Sequence, residues 1–260
     1  MSVFDGAGPL WALWAERVES DFTLQMTAIF VIATAFFLLG QILHKIIRVF
    51  PDKKDNAQAV YRLVGYVHHC MQVPLALYIL QSPSFWEHKL RAHSPASFTL
   101  IILSAGYFLH DFLHSAIHVK DEGIEYVFHG FASMFVYWGA LFFTPPAFHF
   151  YGAGFILWEV SSCFLHFGWF LHKLGKYMFL QFLNGAAVLL TFFLFRLLWG
   201  PYLTYSFYQE TQVPPYKGNA IVIVCYVAST ALNMLNFYWF YLLCRKAVRM
   251  AKGADKDKDR

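Results

Sequence analysis

Charge is what this chain has least of. Only 14% of its 260 residues are Asp, Glu, Lys or Arg, against roughly a quarter in an average soluble domain, while 58% are hydrophobic. That deficit excludes an ordinary solvated globular surface and a charge-rich disordered chain. Cysteine is also scarce. Cys70, Cys163, Cys225 and Cys244 show no CxxC spacing and lie within or at the end of apolar stretches, which argues against a disulfide framework or a zinc knuckle. No internal repeat or low-complexity tract interrupts the chain. A basic leader is missing as well, so the first apolar run is expected to serve as its own insertion signal. Nor is there a basic stripe interleaved with aromatics, and no nucleic-acid partner is expected.

What fills the chain is hydrocarbon. Stretches of about 20 apolar residues recur near 23–44, 59–80, 96–118, 125–144, 147–171, 179–199 and 219–243. The reading is an all-α integral-membrane bundle of about seven transmembrane helices. Its parts are an N-terminal segment 1–22, a first helix with a basic loop 23–54, a helical domain 55–245 and a charged tail 246–260. "TPPA" at 144–147 forces the reversal between the fourth and fifth spans. The long connection 200–218 is expected to be a lumenal loop.

Fifteen of the 20 basic residues fall in the odd-numbered loops and the tail, which leaves Arg17, Lys89, Arg91, Arg196 and Lys217 opposite. The positive-inside rule then puts the C-terminus in the cytosol and the N-terminus in a lumen or outside. "PLWALWAERV" reads either as a short interfacial helix or as a frayed end. Lys256 and Lys258 resemble a dilysine retrieval signal on a cytosolic tail, which implies the endoplasmic reticulum.

Small residues gather on spans four to six, among them Gly130, Gly139, Gly152, Gly154 and Gly185. Such residues let backbones approach in lipid, so these spans are expected to form the heart of the bundle.

Against this background the polar groups stand out. An Asp at the centre of a spanning helix costs about 2.5–3.5 kcal/mol, so Asp111 and Glu159 are expected to face the bundle interior. In "HDFLHSAIH", residues 110–118, His110, His114, His118 and Asp111 fit one helical arc of about 100°. Three readings stand for it: a metal site drawing further ligands from His68, His69, His129, His166 or His172, a structural network near the interface, or a catalytic or ligand-binding cavity. On span five Glu159, Ser162 and His166 share one face. On span four His129 is followed by Gly130, which lets another backbone come close. Ser161 and Ser162 have no nucleophile-elbow context.

The order of these features carries a resemblance. Arg62 and His68, Asp111, "FHGFAS" at 128–133, "WEVSSCF" at 158–164 with Trp169 and Phe170, Asn184 and Gly185, and "LNFYWF" at 235–240 together resemble the TLC domain over residues 55–245. Ceramide synthases of that family imply N-acyl transfer from acyl-CoA, centred on two adjacent histidines. Here His129 matches the first and Gly130 stands at the second, so the chain is closer to the small TLC-domain proteins of membrane lipid handling.

The resemblance implies a cavity among spans two to six lined by His68, Asp111, His129, Glu159, Ser162, Asn184 and Asn236, with Arg62 at its cytosolic mouth. His129 would be the base or transient acyl acceptor and Asp111 its orienting partner. No cofactor is implied, and the expected partners are membrane lipids, with acyl-CoA as a substrate. A non-catalytic lipid sensor, chaperone or trafficking protein is the alternative, and a histidine-liganded metal oxygenase the third.

Overall fold

The computed structural model describes residues 14–15, 17–143, 147–175 and 177–252, and among these every regular element is a helix. Helix α1 spans Phe22–Ile46 and starts where the Asp21 carboxylate accepts the Thr23 and Leu24 N–H groups. Helix α2 spans Lys53–Leu80, capped in the same way by Asp52. Helix α3, Pro95–Ile117, opens on a reciprocal Ser94–Ser97 capping box with proline in its first turn, where a missing N–H costs nothing. Helix α4 is Ile124–Gly139, prolonged by a 3-10 turn to Phe142.

The next run divides into α5, His149–Ile156, and α6, Glu159–Leu174. Helix α7, Met178–Phe192, passes through a π-helical turn at Phe193–Trp199 into α8, Gly200–Glu210. Helix α9, Ala220–Ala251, closes the fold.

Among the described residues six helical runs are long and apolar enough to cross a membrane: Phe22–Ile46, Lys53–Leu80, Pro95–Ile117, His149–Leu174, Met178–Glu210 and Ala220–Met250. The chain is an all-helical integral membrane protein. Helix α4, expected as a further span, has 16 residues, short of the usual length of about 20.

Ion pairs fix which loops share an end of the bundle. At one end Lys54 binds Asp121 at 2.8 Å and Lys173 binds Asp55 at 2.7 Å. At the other Lys89 reaches Glu210 at 3.3 Å, the Phe148 N–H donates to Leu90 O, and His149 meets Ser97. Helix α4 therefore runs from one end to the other, between the loop that carries Asp121 and the segment that carries Phe148.

Three expectations are corrected. Residues 200–210 are helical rather than loop, because Pro201 falls in the first turn of α8, after a widened π turn. Arg196 belongs to no solvated loop: it is 3% exposed, inside the π turn. The heart of the bundle is also elsewhere than expected. Helix α3 is 78% buried along its span, whereas the run that holds α7 is 17% buried, and Gly185 has nothing within 4 Å of where a Cβ would stand. The small residues of α4 and α5 do mark close packing. A Cβ at Gly130 would lie 2.8 Å from Phe112 Cα, and one at Gly154 2.8 Å from Leu203 Cδ1. The N-terminal residues up to 13, the 144–146 reversal and the dilysine-like tail lie outside the described residues.

Candidate functional site

Two clusters of polar side chains meet in the bundle interior. The first is built by α2, α3 and α4. Tyr61 donates to Asp111 Oδ1 at 2.7 Å, and His129 Nδ1 lies 3.8 Å from Asp111 Oδ2. The third-helix carboxylate and the fourth-helix imidazole thus face each other. Their approach depends on Gly130, since any side chain there would strike the α3 backbone at Phe112. At 3.8 Å the His129 contact is an ion-pair distance rather than a hydrogen bond. Trp239 of α9 and Phe108 of α3 flank the His129 ring at 5.4 and 6.1 Å. The Asp111 side chain is 7% exposed and that of His129 16%, so the imidazole is the accessible member.

The second cluster joins α2, α6, the π turn and α9. Glu159 lies 3.4 Å from His69 Nδ1 and 3.6 Å from an Arg196 nitrogen. Arg196 also donates to Trp158 O, Ser161 Oγ, Ser162 Oγ and Asn236 Oδ1 at 2.9–3.2 Å. A buried guanidinium is tolerable only when paired and hydrogen-bonded in this way. The widened turn that carries Arg196 is the kind of local irregularity that membrane interiors accept where polar groups satisfy it.

The expected site residues divide between these clusters. Asp111 and His129 form the first, and Glu159, Ser162 and Asn236 the second. Arg62 lies toward the Lys54 end, its guanidinium 5.0 Å from the Trp169 ring centre and 3.5 Å from His166 Nδ1. His68 is 1% exposed, stacks on Tyr107 at 3.8 Å and points Nδ1 toward His69. Asn184 stands apart: its Nδ2 donates to Phe164 O at 3.0 Å and ties α7 to α6.

The histidine stripe of 110–118 exists, but its members serve different ends. His114 stacks on Tyr61 and on His118, each at 4.3 Å, and meets Glu122 at 3.2 Å. Asp111 is the member whose carboxylate lies between Tyr61 of α2 and His129 of α4. Among the described residues no three His, Cys, Asp or Glu side chains converge as a metal-ligand set.

A cavity of about 20 Å³ lies between the clusters, lined by His129, Glu159, Phe108, Tyr137, Trp158 and Ser229 among others. It has room for roughly one water, far from the several hundred Å³ of a small-molecule pocket. Arg196 and Tyr61 stand in the site without being expected there, and His69 was expected only as a possible metal ligand. For Arg196 a signal existed, an arginine inside "TFFLFRLLWG", because an ionisable residue within a span is a functional candidate by default. Nothing in the sequence marks Tyr61.

Comparisons with known proteins agree with this architecture. A family model described as the TLC domain matches residues 59–245. An uncharacterized TLC domain-containing protein of Schizosaccharomyces pombe is 28% identical over 210 residues, covering 79% of this chain and 70% of that one. TLC domain-containing protein 4-B of Danio rerio is 25% identical over 214 residues, 80% of each chain. Topoisomerase I damage affected protein 4 of Saccharomyces cerevisiae is 24% identical over 167 residues, 60% of this chain and 57% of its own.

Proposed function

The chain belongs to the TLC-domain family, and from that premise we propose that it handles an acyl lipid or acyl thioester in the membrane, with the reacting end held at His129 and Asp111. The observation that carries this reading is the convergence of Tyr61, Asp111 and His129 from three helices, with the imidazole partly accessible and the carboxylate more deeply buried. Asp111 has two acceptor oxygens. Tyr61 occupies one, and the other faces His129 Nδ1, which favours the tautomer with Nε2 unprotonated and basic.

Such a nitrogen can take the proton of an acceptor hydroxyl or amine as that group attacks a thioester carbonyl. The new C–O or C–N bond forms, the C–S bond breaks, and the departing thiolate recovers the proton. Arg62, which has no carboxylate within ion-pair distance among the described residues, attracts the phosphate of a headgroup or of CoA at the mouth. Because the cavity is small, the acyl chain stays in the bilayer and only its reacting end reaches His129.

The same reading makes α4 a seventh crossing, since 16 residues prolonged by a 3-10 turn reach about 28 Å at 1.5 Å per residue. An odd number of crossings supports a cytosolic C-terminus and a lumenal N-terminus. Residence in the endoplasmic reticulum is part of the same proposal.

The size of the cavity favours one other reading, a sensor or trafficking protein that binds lipid without turnover. Purified full-length chain in nanodiscs, given labelled acyl-CoA with amine or lysolipid acceptors, separates the two. Acyl transfer lost in His129→Ala establishes the enzyme; co-purified lipid without turnover establishes the binder. Neither lipid nor turnover overturns both.

A further inference from the structure

Helices α2 and α6 mate along two polar faces. Residues 62, 65 and 69 recur at i, i+3 and i+7 on α2, as do 159, 162 and 166 on α6, so each set lines one side of its helix. Along the seam the contacts run in order. Arg62 NH1 lies 3.5 Å from His166 Nδ1, His166 Nε2 lies 3.3 Å from His69 Nε2, and His69 Nδ1 lies 3.4 Å from Glu159 Oε2.

The chemistry of the two ends fixes everything between them. A guanidinium only donates and a carboxylate only accepts. Arg62 therefore requires His166 to accept at Nδ1 and carry its hydrogen on Nε2. His69 then accepts at Nε2 and carries its hydrogen on Nδ1, which lies 3.4 Å from both Glu159 Oε2 and His68 Nδ1, so that the two share it as acceptors. Two neutral imidazoles satisfy this chain with no mismatch, over roughly 10 Å of helix rise.

Gly65 keeps the junction open. A Cβ there would stand 3.1 Å from both His166 Nε2 and the Tyr107 hydroxyl, and 3.5 Å from His69 Nε2. His69 is faced by Glu159 and His166 from α6, by Tyr107 from α3 and by His68 on its own helix, with Arg196 behind Glu159.

We propose that His166, His69 and Glu159 form a proton path between the Arg62 end of the bundle and the cavity beside His129, with Arg62 as its plug. A guanidinium cannot release a proton, so the path is closed while Arg62 holds His166 Nδ1. Once Arg62 swings away, water protonates Nδ1, the Nε2 proton passes to His69 Nε2, and the Nδ1 proton of His69 passes to Glu159. One positive charge travels and nothing is oxidised. The reverse sequence restores the starting tautomers, so the path exchanges protons rather than pumping them. Protonated Glu159 would leave Arg196 buried beside a neutral partner, which makes the carboxyl a waypoint to the cavity and not a store.

The test uses the full chain with ¹⁵N-labelled histidine in nanodiscs and needs no substrate, so its failure is distinct from failure of the acyl-transfer reading. Nitrogen shifts should report His166 protonated at Nε2 and His69 at Nδ1. Exchange of the His69 N–H with water should slow by about tenfold in His166→Phe and quicken by a similar factor, at both histidines, in Arg62→Gln. Gly65→Ala improves helix propensity while crowding the junction, and should also slow His69 exchange if His166→Phe does not fold. His69 protonated at Nε2, or His69 exchange indifferent to the His166 and Gly65 variants, overturns the proposal.

Discussion

Glu159 and Asp111 are both carboxylates buried in the same bundle, and they differ in the company they keep. Glu159 faces a guanidinium that is itself held by four further acceptors, so its charge is balanced by a partner that cannot titrate. Among the described residues Asp111 meets a tyrosine hydroxyl at 2.7 Å and an imidazole at 3.8 Å. The first arrangement locks helices together. The second joins α2, α3 and α4 through one short hydrogen bond and one longer contact.

The comparison breaks most visibly at Arg196. Arg196→Leu should destabilise the protein by about 3–5 kcal/mol, because it strands Glu159 as an uncompensated buried charge. Thermal unfolding in nanodiscs measures this, and a paired Glu159→Leu and Arg196→Met variant should recover most of the loss. A neutral Arg196→Leu would mean that the pair is no lock.

Gly130→Val should cost about 1–3 kcal/mol by overpacking α4 against α3. It should also draw His129 away from Asp111, so lipid binding falls along with stability.

Tyr61→Phe is expected to be milder, about 1 kcal/mol for one lost hydrogen bond, with a larger effect on turnover than on unfolding. If the reverse is found, Tyr61 belongs to the scaffold and the distinction between the clusters blurs.

The smallest effect belongs to the exposed pair at the bundle end. Lys54 holds the Asp121 carboxyl below its usual range through a hydrogen bond and its charge. The contribution is therefore present above the ordinary carboxylate range near pH 4 and fades as pH falls through the lowered value. Since both side chains are more than half exposed, Asp121→Asn should leave the unfolding curve at neutral pH unmoved.

How far the site was legible follows from the same particulars. Asp111, His129 and Glu159 announced themselves because an ionisable group is costly in hydrocarbon wherever the helix faces. Tyr61 did not, since tyrosine at a span end is ordinary interfacial material. Arg196 is grouped with the opposite-side loops by the charge count although the expected span 179–199 contains it, and a π turn leaves no reliable mark in composition. Asn184, expected as a cavity residue, donates its Nδ2 hydrogen to Phe164 O of α6, a contact that depends on how α7 is rotated against α6.

The sequence by itself determined that this is a membrane bundle of helices and which polar groups have to be sheltered. Both are local matters, since a window of about 20 residues either can or cannot satisfy its backbone in lipid. Only the tertiary structure decided which carboxylate meets a guanidinium and which meets an imidazole. That outcome depends on how each helix is rotated about its axis and how closely glycines let neighbours approach, and no single segment specifies either.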